Sequence, residues 1–223
     1  MEFNKIIHGN CLSVMKDMPD KSVDIVLTSP PYNRKRNDKY EFYDDIIENY
    51  FEWSCNVINE LLRISKGNVF YNIQKNYYNK IDVFNIIGKY SKNICEIIIW
   101  EKSNPMPANG FNITNAYEFI IVFGENIQSN ITYTKNHITT SVAPMIKEHK
   151  AIMHYNIADF IVGNFSKEGD IILDPFAGSG TTGVACINLN RNYILIEKEK
   201  EYINLINKKI NHHTKQQIGK LDI

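Results

Sequence analysis

The stretch Thr28-Ser29-Pro30-Pro31-Tyr32-Asn33 places a hydroxyl, two rigid rings and an aromatic side chain in one short turn, directly after the apolar run Val23-Asp24-Ile25-Val26-Leu27. Neither proline can donate a ladder hydrogen bond, so the strand must stop there and the turn that follows is stiff. Proline keeps its carbonyl, which makes Ser29 Oγ and the Pro30 C=O two adjacent acceptors, and Tyr32 adds a flat surface for stacking. Such a set suits a flat ring that carries an amine. The exocyclic nitrogen of cytosine or adenine is a poor nucleophile because its lone pair is delocalised into the ring. Acceptors beside its two N–H bonds draw that nitrogen toward a tetrahedral form and aim the lone pair at an electrophilic methyl carbon. A base reaches a pocket of this kind only by leaving the duplex. The plainer alternative is a loop whose Pro-Pro does nothing but end a strand.

A second turn, Asp174-Pro175-Phe176-Ala177-Gly178-Ser179-Gly180-Thr181-Thr182, follows the apolar run Ile171-Ile172-Leu173 and opens a helix. In that setting glycines let backbone N–H groups approach a ligand closely. A tight strand-to-helix turn without a ligand is the bland alternative. Through Gly183 the spacing also satisfies the dinucleotide pattern G-x-G-x-x-G, whereas a phosphate loop is excluded because no lysine follows the glycines. Against a dinucleotide stands Asp174, whose carboxylate would repel a pyrophosphate and attract a sulfonium amino acid. About 20 residues further on, Glu197 closes the run Tyr193-Ile194-Leu195-Ile196, where an acid can accept hydrogen bonds from both hydroxyls of a ribose. Its alternative role is a solvated charge in Glu197-Lys198-Glu199-Lys200-Glu201.

Taken together, the two turns resemble the catalytic and cofactor motifs of the amino-methylating DNA methyltransferases, and their order resembles the beta group, in which the catalytic half comes first. Gly9-Asn10, Ser22-Val23-Asp24 and the helix from Tyr155 are similar to that family as well. The resemblance implies an α/β fold with a doubly wound, seven-stranded mixed sheet of the S-adenosylmethionine-dependent methyltransferase type, circularly ordered with the catalytic half before the cofactor half. It implies that Ser29, Pro30, Pro31 and Tyr32 serve the base. Asp174, Pro175, Phe176, Gly178, Ser179, Gly180, Thr181 and Glu197 would hold S-adenosylmethionine, with no metal. Double-stranded DNA would be the substrate, in a restriction-modification or phage/host DNA modification role. A cognate restriction endonuclease and a second copy of the chain are candidate partners. Serine at the first position of the tetrapeptide resembles enzymes of the cytosine 4-amino group, and aspartate those of the adenine 6-amino group. One departure is the short segment 125–150, where the family usually places target recognition.

Other chemistries fit less well. RNA and protein-glutamine methyltransferases carry an Asn-Pro-Pro-Tyr version of the tetrapeptide and place the cofactor loop first. Carbon-5 cytosine methylation needs a cysteine after a proline, and none of Cys11, Cys55, Cys95 and Cys186 follows one. A non-catalytic nucleic-acid-binding subunit of the same fold and a nicotinamide oxidoreductase remain as further classes.

The elements that must position these turns can be read from periodicity. Helical spacing is expected over Cys11 to Met18, Asp44 to Ser65, Tyr77 to Ile87, Ile157 to Phe165, Thr181 to Leu189 and from the run after Glu197 through Ile210. Strands are expected at Val23 to Leu27, Val69 to Tyr71, Ile94 to Trp100, Tyr117 to Phe123, Ile171 to Leu173 and Tyr193 to Ile196. Alternation of strand and helix predicts parallel βαβ units. The segment from Glu125 to Lys150 shows no clear period. A single catalytic domain is expected over 1–210, with a polar tail over 211–223.

With 25 basic and 25 acidic residues the chain is formally neutral, so attraction to DNA must be local. Arg34-Lys35-Arg36 and Lys39, just past the proline turn, form the densest basic cluster and are expected to contact phosphates. A solvated loop is the alternative. No apolar run approaches the roughly 20 residues needed to cross a bilayer, and the N-terminus lacks a secretory pattern, so a cytoplasmic protein without membrane contact is expected. The scattered cysteines are expected to be reduced thiols.

Overall fold

The computed structural model describes residues 2–34, 45–108, 112–141 and 153–221. In chain order the elements are β1 (Lys5–His8), α1 (Cys11–Lys16), β2 (Ile25–Thr28), α2 (Tyr50–Ile64), β3 (Val69–Ile73), α3 (Lys80–Lys89), β4 (Ile94–Lys102), β5 (Tyr117–Phe123), β6 (His137–Thr140), α4 (Tyr155–Phe165), β7 (Ile171–Asp174), α5 (Thr181–Asn188), β8 (Asn192–Glu197) and α6 (Lys200–Leu221). Among the described residues the strands form one eight-stranded sheet in the order β1-β8-β7-β2-β3-β5-β4-β6. Only β5 runs against its neighbours; the other pairings are parallel.

Side-chain alternation explains why the inner strands are apolar throughout. Val26, Val69, Tyr71 and Leu173 face one way, onto Met15 of α1, Leu61 of α2 and Ile86 of α3. Their neighbours Ile25, Leu27, Phe70 and Ile172 face the other way, onto Ile161 of α4, Cys186 of α5 and Ile206 of α6. Helices on both faces leave no wet side, so a polar residue inside β2, β3 or β7 is costly unless it is hydrogen-bonded.

The sheet has one strand more than the expected seven, and the two strands that periodicity did not mark, β1 and β6, are its two edges. Each has four residues and carries polar side chains, because an edge strand is covered less completely. β6 falls within the segment of weak pattern, and residues 142–150 of that segment lie outside the described residues. Helix α2 starts at Tyr50 instead of Asp44, after Asn49 in a left-handed conformation (φ 50°). Helix α6 continues past Ile210 to Leu221, since no proline interrupts the stretch expected to be a tail. All four cysteines are unpaired. No helix among the described residues is long and apolar enough to cross a membrane.

Candidate active site

β2 and β7 are parallel neighbours, with Ile25 opposite Ile172 and Val26 opposite Leu173. The two motif turns therefore leave the sheet side by side at its carboxyl edge. From β7 the chain crosses by α5 to β8, and from β2 it crosses by α2 to β3 on the opposite side and opposite face. A reversal of this kind opens a crevice between the two turns.

Asp174, the last residue of β7, is buried. Its Oδ1 accepts from Thr28 Oγ1 at 2.9 Å and from the Phe176 N–H at 3.1 Å, and its Oδ2 accepts from Thr182 Oγ1 at 2.6 Å. Burial pushes its carboxyl up to about 6, and these three donors oppose that rise. Gly178 (φ 50°) and Gly180 (φ 80°) both occupy the left-handed region. A Cβ on Gly180 would lie 3.0 Å from Ile206 Cγ2. One on Gly183 would lie 2.7 Å from Leu195 Cδ1, so the third glycine of the G-x-G-x-x-G spacing is accounted for by helix-to-strand packing. Ser179 is buried, and its hydroxyl is 3.3 Å from that of the half-buried Thr181.

Glu197 is set apart from the acidic and basic residues after it by burial. Its Oε2 accepts from the Gly178 N–H at 2.7 Å, and its Oε1 accepts from the N–H groups of Lys198 (2.8 Å) and Glu199 (2.9 Å). Burial raises its carboxyl, with these backbone donors working against the rise. The carboxylate thus closes one wall of the glycine turn.

In the proline turn, Pro30 is buried and Ser29 and Pro31 are half-buried. Tyr32 is gripped at every polar atom. Its N–H donates to Asp45 Oδ1 (3.0 Å), its C=O accepts from Asn76 Nδ2 and Asn79 Nδ2 (both 2.8 Å), and its hydroxyl donates to Glu118 Oε2 (2.8 Å). The expected stacking surface is therefore a fixed wall, with its hydroxyl end turned into the protein. The first turn of α2 touches both loops: Tyr50 Oη donates to the Pro31 carbonyl (2.7 Å), and the Trp53 ring meets Phe176 edge-on at 5.6 Å. Phe176 follows Pro175 at the mouth of the glycine turn. The Arg34 guanidinium lies 5.2 Å from the Tyr32 ring centroid and donates to Gln74 Oε1. Lys35, Arg36 and Lys39 lie outside the described residues.

A family model described as DNA methylase matches residues 23–142 and 125–208, which takes in both turns. The chain belongs to the DNA methylase family. Among curated relatives, the chain is 33% identical over 231 residues to the Type II methyltransferase M.MwoI of Methanothermobacter wolfeii, across 91% of this chain and 34% of that protein. It thus spans about a third of that relative's length. It is 29% identical to the Type II methyltransferase M2.MboI of Moraxella bovis, across 90% of this chain and 85% of that protein. The fold matches that of PvuII DNA methyltransferase (cytosine-N4-specific) with a TM-score of 0.75 at 19% identity, covering 94% of this chain and 86% of that one. A complex of M1.HpyAVI with SAM matches with a TM-score of 0.67 at 27% identity, over 93% and 98% of the two chains.

Motifs do not mark several residues that hold the two turns. Thr28 and Thr182 hold Asp174. Asn72 on β3, Glu118 on β5 and Lys102 at the end of β4 form a buried polar cluster beneath Ser29 and Tyr32. Asn72 Nδ2 donates to Tyr32 Oη (2.7 Å), Glu118 Oε2 (2.8 Å) and, more weakly, Ser29 Oγ (3.3 Å). Lys102 Nζ is paired with Glu118 Oε1. The available signal was a lone polar residue inside an otherwise apolar strand: Asn72 within Val69–Ile73 and Glu118 within Tyr117–Phe123.

Proposed function

We propose that the chain transfers a methyl group from S-adenosylmethionine to the exocyclic amine of a base flipped out of double-stranded DNA. The observation that carries this reading is the parallel pairing of β2 with β7, which sets the Ser29–Tyr32 turn beside the glycine turn across the Thr28–Asp174 hydrogen bond. Ser29 and the Pro30 carbonyl accept the amine's N–H bonds, and the Pro31 ring and Tyr32 shape the base pocket.

The glycine turn fits the cofactor on its own geometry. Gly178 is left-handed and leaves its backbone bare in the turn, Gly180 lets the turn close onto Ile206 of α6, and the Glu197 carboxylate stands beside Gly178 for the ribose hydroxyls. Pro175 and Phe176 wall the same pocket, and Ser179 and Thr181 line its turn. When bound, the cofactor supplies an electrophilic methyl carbon on sulfonium sulfur. M1.HpyAVI, a structural relative at 27% identity, is described in complex with SAM. Asp174 acts here by fixing the loop, its two oxygens holding Thr28, Phe176 and Thr182 together.

Serine at position 29 favours the cytosine 4-amino group as the target, on the family's usage of that residue. The Type II names of M.MwoI and M2.MboI support a restriction-modification role, with a cognate endonuclease as partner, and pairing with a second copy belongs to the same proposal. Segment 125–150 is proposed to read the target sequence. Digestion of treated duplex DNA to nucleosides, followed by mass spectrometry, tests the reading: 4-methylcytosine is expected. Only 6-methyladenine would overturn the base, and no methylated nucleoside would overturn the activity.

A further inference from the structure

The polar cluster beneath Ser29 has a direction. Ser29 Oγ lies 2.7 Å from Tyr32 Oη, which lies 2.8 Å from Glu118 Oε2. Tyr32 has one proton and keeps it, because burial, and then the charge of Glu118, hold its hydroxyl well above the ordinary value of 10. A carboxylate only accepts, so the Tyr32 proton points at Glu118. Asn72 donates to both groups through Nδ2; the flipped amide would set Oδ1 against the Glu118 carboxylate. With the Tyr32 proton committed, Ser29 must donate to Tyr32; the two hydrogens of Asn72 Nδ2 serve the nearer Tyr32 and Glu118 oxygens, so the Ser29 lone pairs, 3.3 Å from that nitrogen, stay open to a donor outside the cluster. Every bond in the chain then runs the same way.

We infer that Ser29, Tyr32 and Glu118 form a proton relay that drains the proton released when the target amine is methylated, with Glu118 as its terminal acceptor and Asn72 and Lys102 as positioning residues. The inference rests on the reading proposed above. A serine hydroxyl has no capacity to retain an added proton, so Ser29 needs a base behind it. As the nitrogen–carbon bond forms, the sulfur–carbon bond breaks with its electron pair left on sulfur, and the positive charge passes to the nitrogen. One N–H proton moves to Ser29 Oγ, the Ser29 proton to Tyr32 Oη, and the Tyr32 proton to Glu118 Oε2. The product amine is then neutral and Glu118 is a neutral acid. After product leaves, the proton returns along the same chain to solvent. Lys102, paired with Glu118 Oε1, holds the carboxylate in line with the Tyr32 hydroxyl.

Glu118 touches neither base nor cofactor, so its test must separate proton removal from support of the pocket. Methyl transfer from labelled S-adenosylmethionine to unmethylated duplex DNA is measured in single turnover, with S-adenosylhomocysteine affinity and DNA KM measured beside it. Glu118→Gln keeps the side chain's shape but cannot retain the proton, and its rate should fall about 100-fold. Inhibitor affinity and KM should hold within about twofold, because binding does not use the relay. Tyr32→Phe should fall by a similar factor, and the double variant should fall no further, as members of one chain do. Should Glu118→Gln fail to fold, Tyr32→Phe carries the same test, since it removes one hydroxyl only. A near-normal rate in either variant, losses that multiply in the double variant, or a loss of affinity in step with rate would overturn the relay. Absence of labelling by the unmodified protein would instead overturn the underlying reading.

Discussion

Thr28 donates its hydroxyl proton to Asp174 across 2.9 Å, joining the ends of two neighbouring strands that lie 146 residues apart in the chain. The same carboxylate accepts from Thr182 in the first turn of α5 and from the backbone of Phe176. One buried acid thereby fixes the proline turn against the glycine turn, and both motifs depend on it.

Removing the donor should loosen that joint without changing side-chain volume. Thr28→Val leaves the Asp174 charge with one fewer donor in a buried site, and a cost of about 2 kcal/mol is expected. Urea denaturation measures it; a loss below about 0.5 kcal/mol would mean that the bond contributes little to stability.

The raised carboxyl of Asp174 sets a pH dependence. In the folded chain it titrates at about 6 against the ordinary 3.8, so between these values the folded state holds the proton more tightly. Its contribution to stability is full below the lower value and is lost as pH rises through the upper one, an amount of about 3 kcal/mol. Denaturation from about pH 4 to about pH 7 should show stability of the unmodified protein falling relative to Asp174→Asn by that order. A difference that grows with pH, or stays flat, would contradict the assignment.

How much of this was legible follows from how local each signal is. The proline turn and the glycine turn are set by residues adjacent in sequence, and the structure builds both where the pattern puts them. Their side-by-side placement depends on strand order, which no local pattern carries. Asn72 and Glu118 meet the proline turn from two strands and Lys102 pairs with Glu118 from a third; Glu118 lies within a run whose signal is hydrophobicity alone, and Asn72 lies just past the run Val69 to Tyr71. The edge strands β1 and β6 were missed for the opposite reason, since half-exposed polar residues blur the period that a covered strand shows. That Tyr32 is a fixed surface is not legible from its neighbours in sequence, because Asp45, Asn76 and Asn79, which clamp its backbone, lie 13 or more residues away.

The cofactor turn makes its own prediction. Gly178 has φ 50°, so Gly178→Val would strain the backbone and place a branched side chain where a ligand must approach. Strain of this kind costs about 1–3 kcal/mol, and with the added obstruction S-adenosylhomocysteine affinity should fall by roughly 100-fold. Isothermal titration reads the change, and unchanged affinity in a folded variant would remove the turn from the cofactor site.

We propose that the basic cluster beyond the proline turn contacts phosphates. Arg34 is already engaged by Gln74 and the Tyr32 ring, so the change should come mainly from its two neighbours. Lys35→Ala with Arg36→Ala should flatten the dependence of DNA affinity on salt by a slope of roughly 2, one for each lost contact. An identical slope would show that these side chains face solvent.

The two turns are proposed to make one site, in which Ser29 acts on the amine and leaves cofactor binding alone. Single-turnover methyl transfer by Ser29→Ala, with S-adenosylhomocysteine affinity measured on the same preparation, tests this most directly. The bond to Ser29 strengthens only as the nitrogen becomes tetrahedral, so the rate should fall by about 100-fold or more while affinity stays within about twofold. A variant that transfers methyl at the full rate would contradict the account.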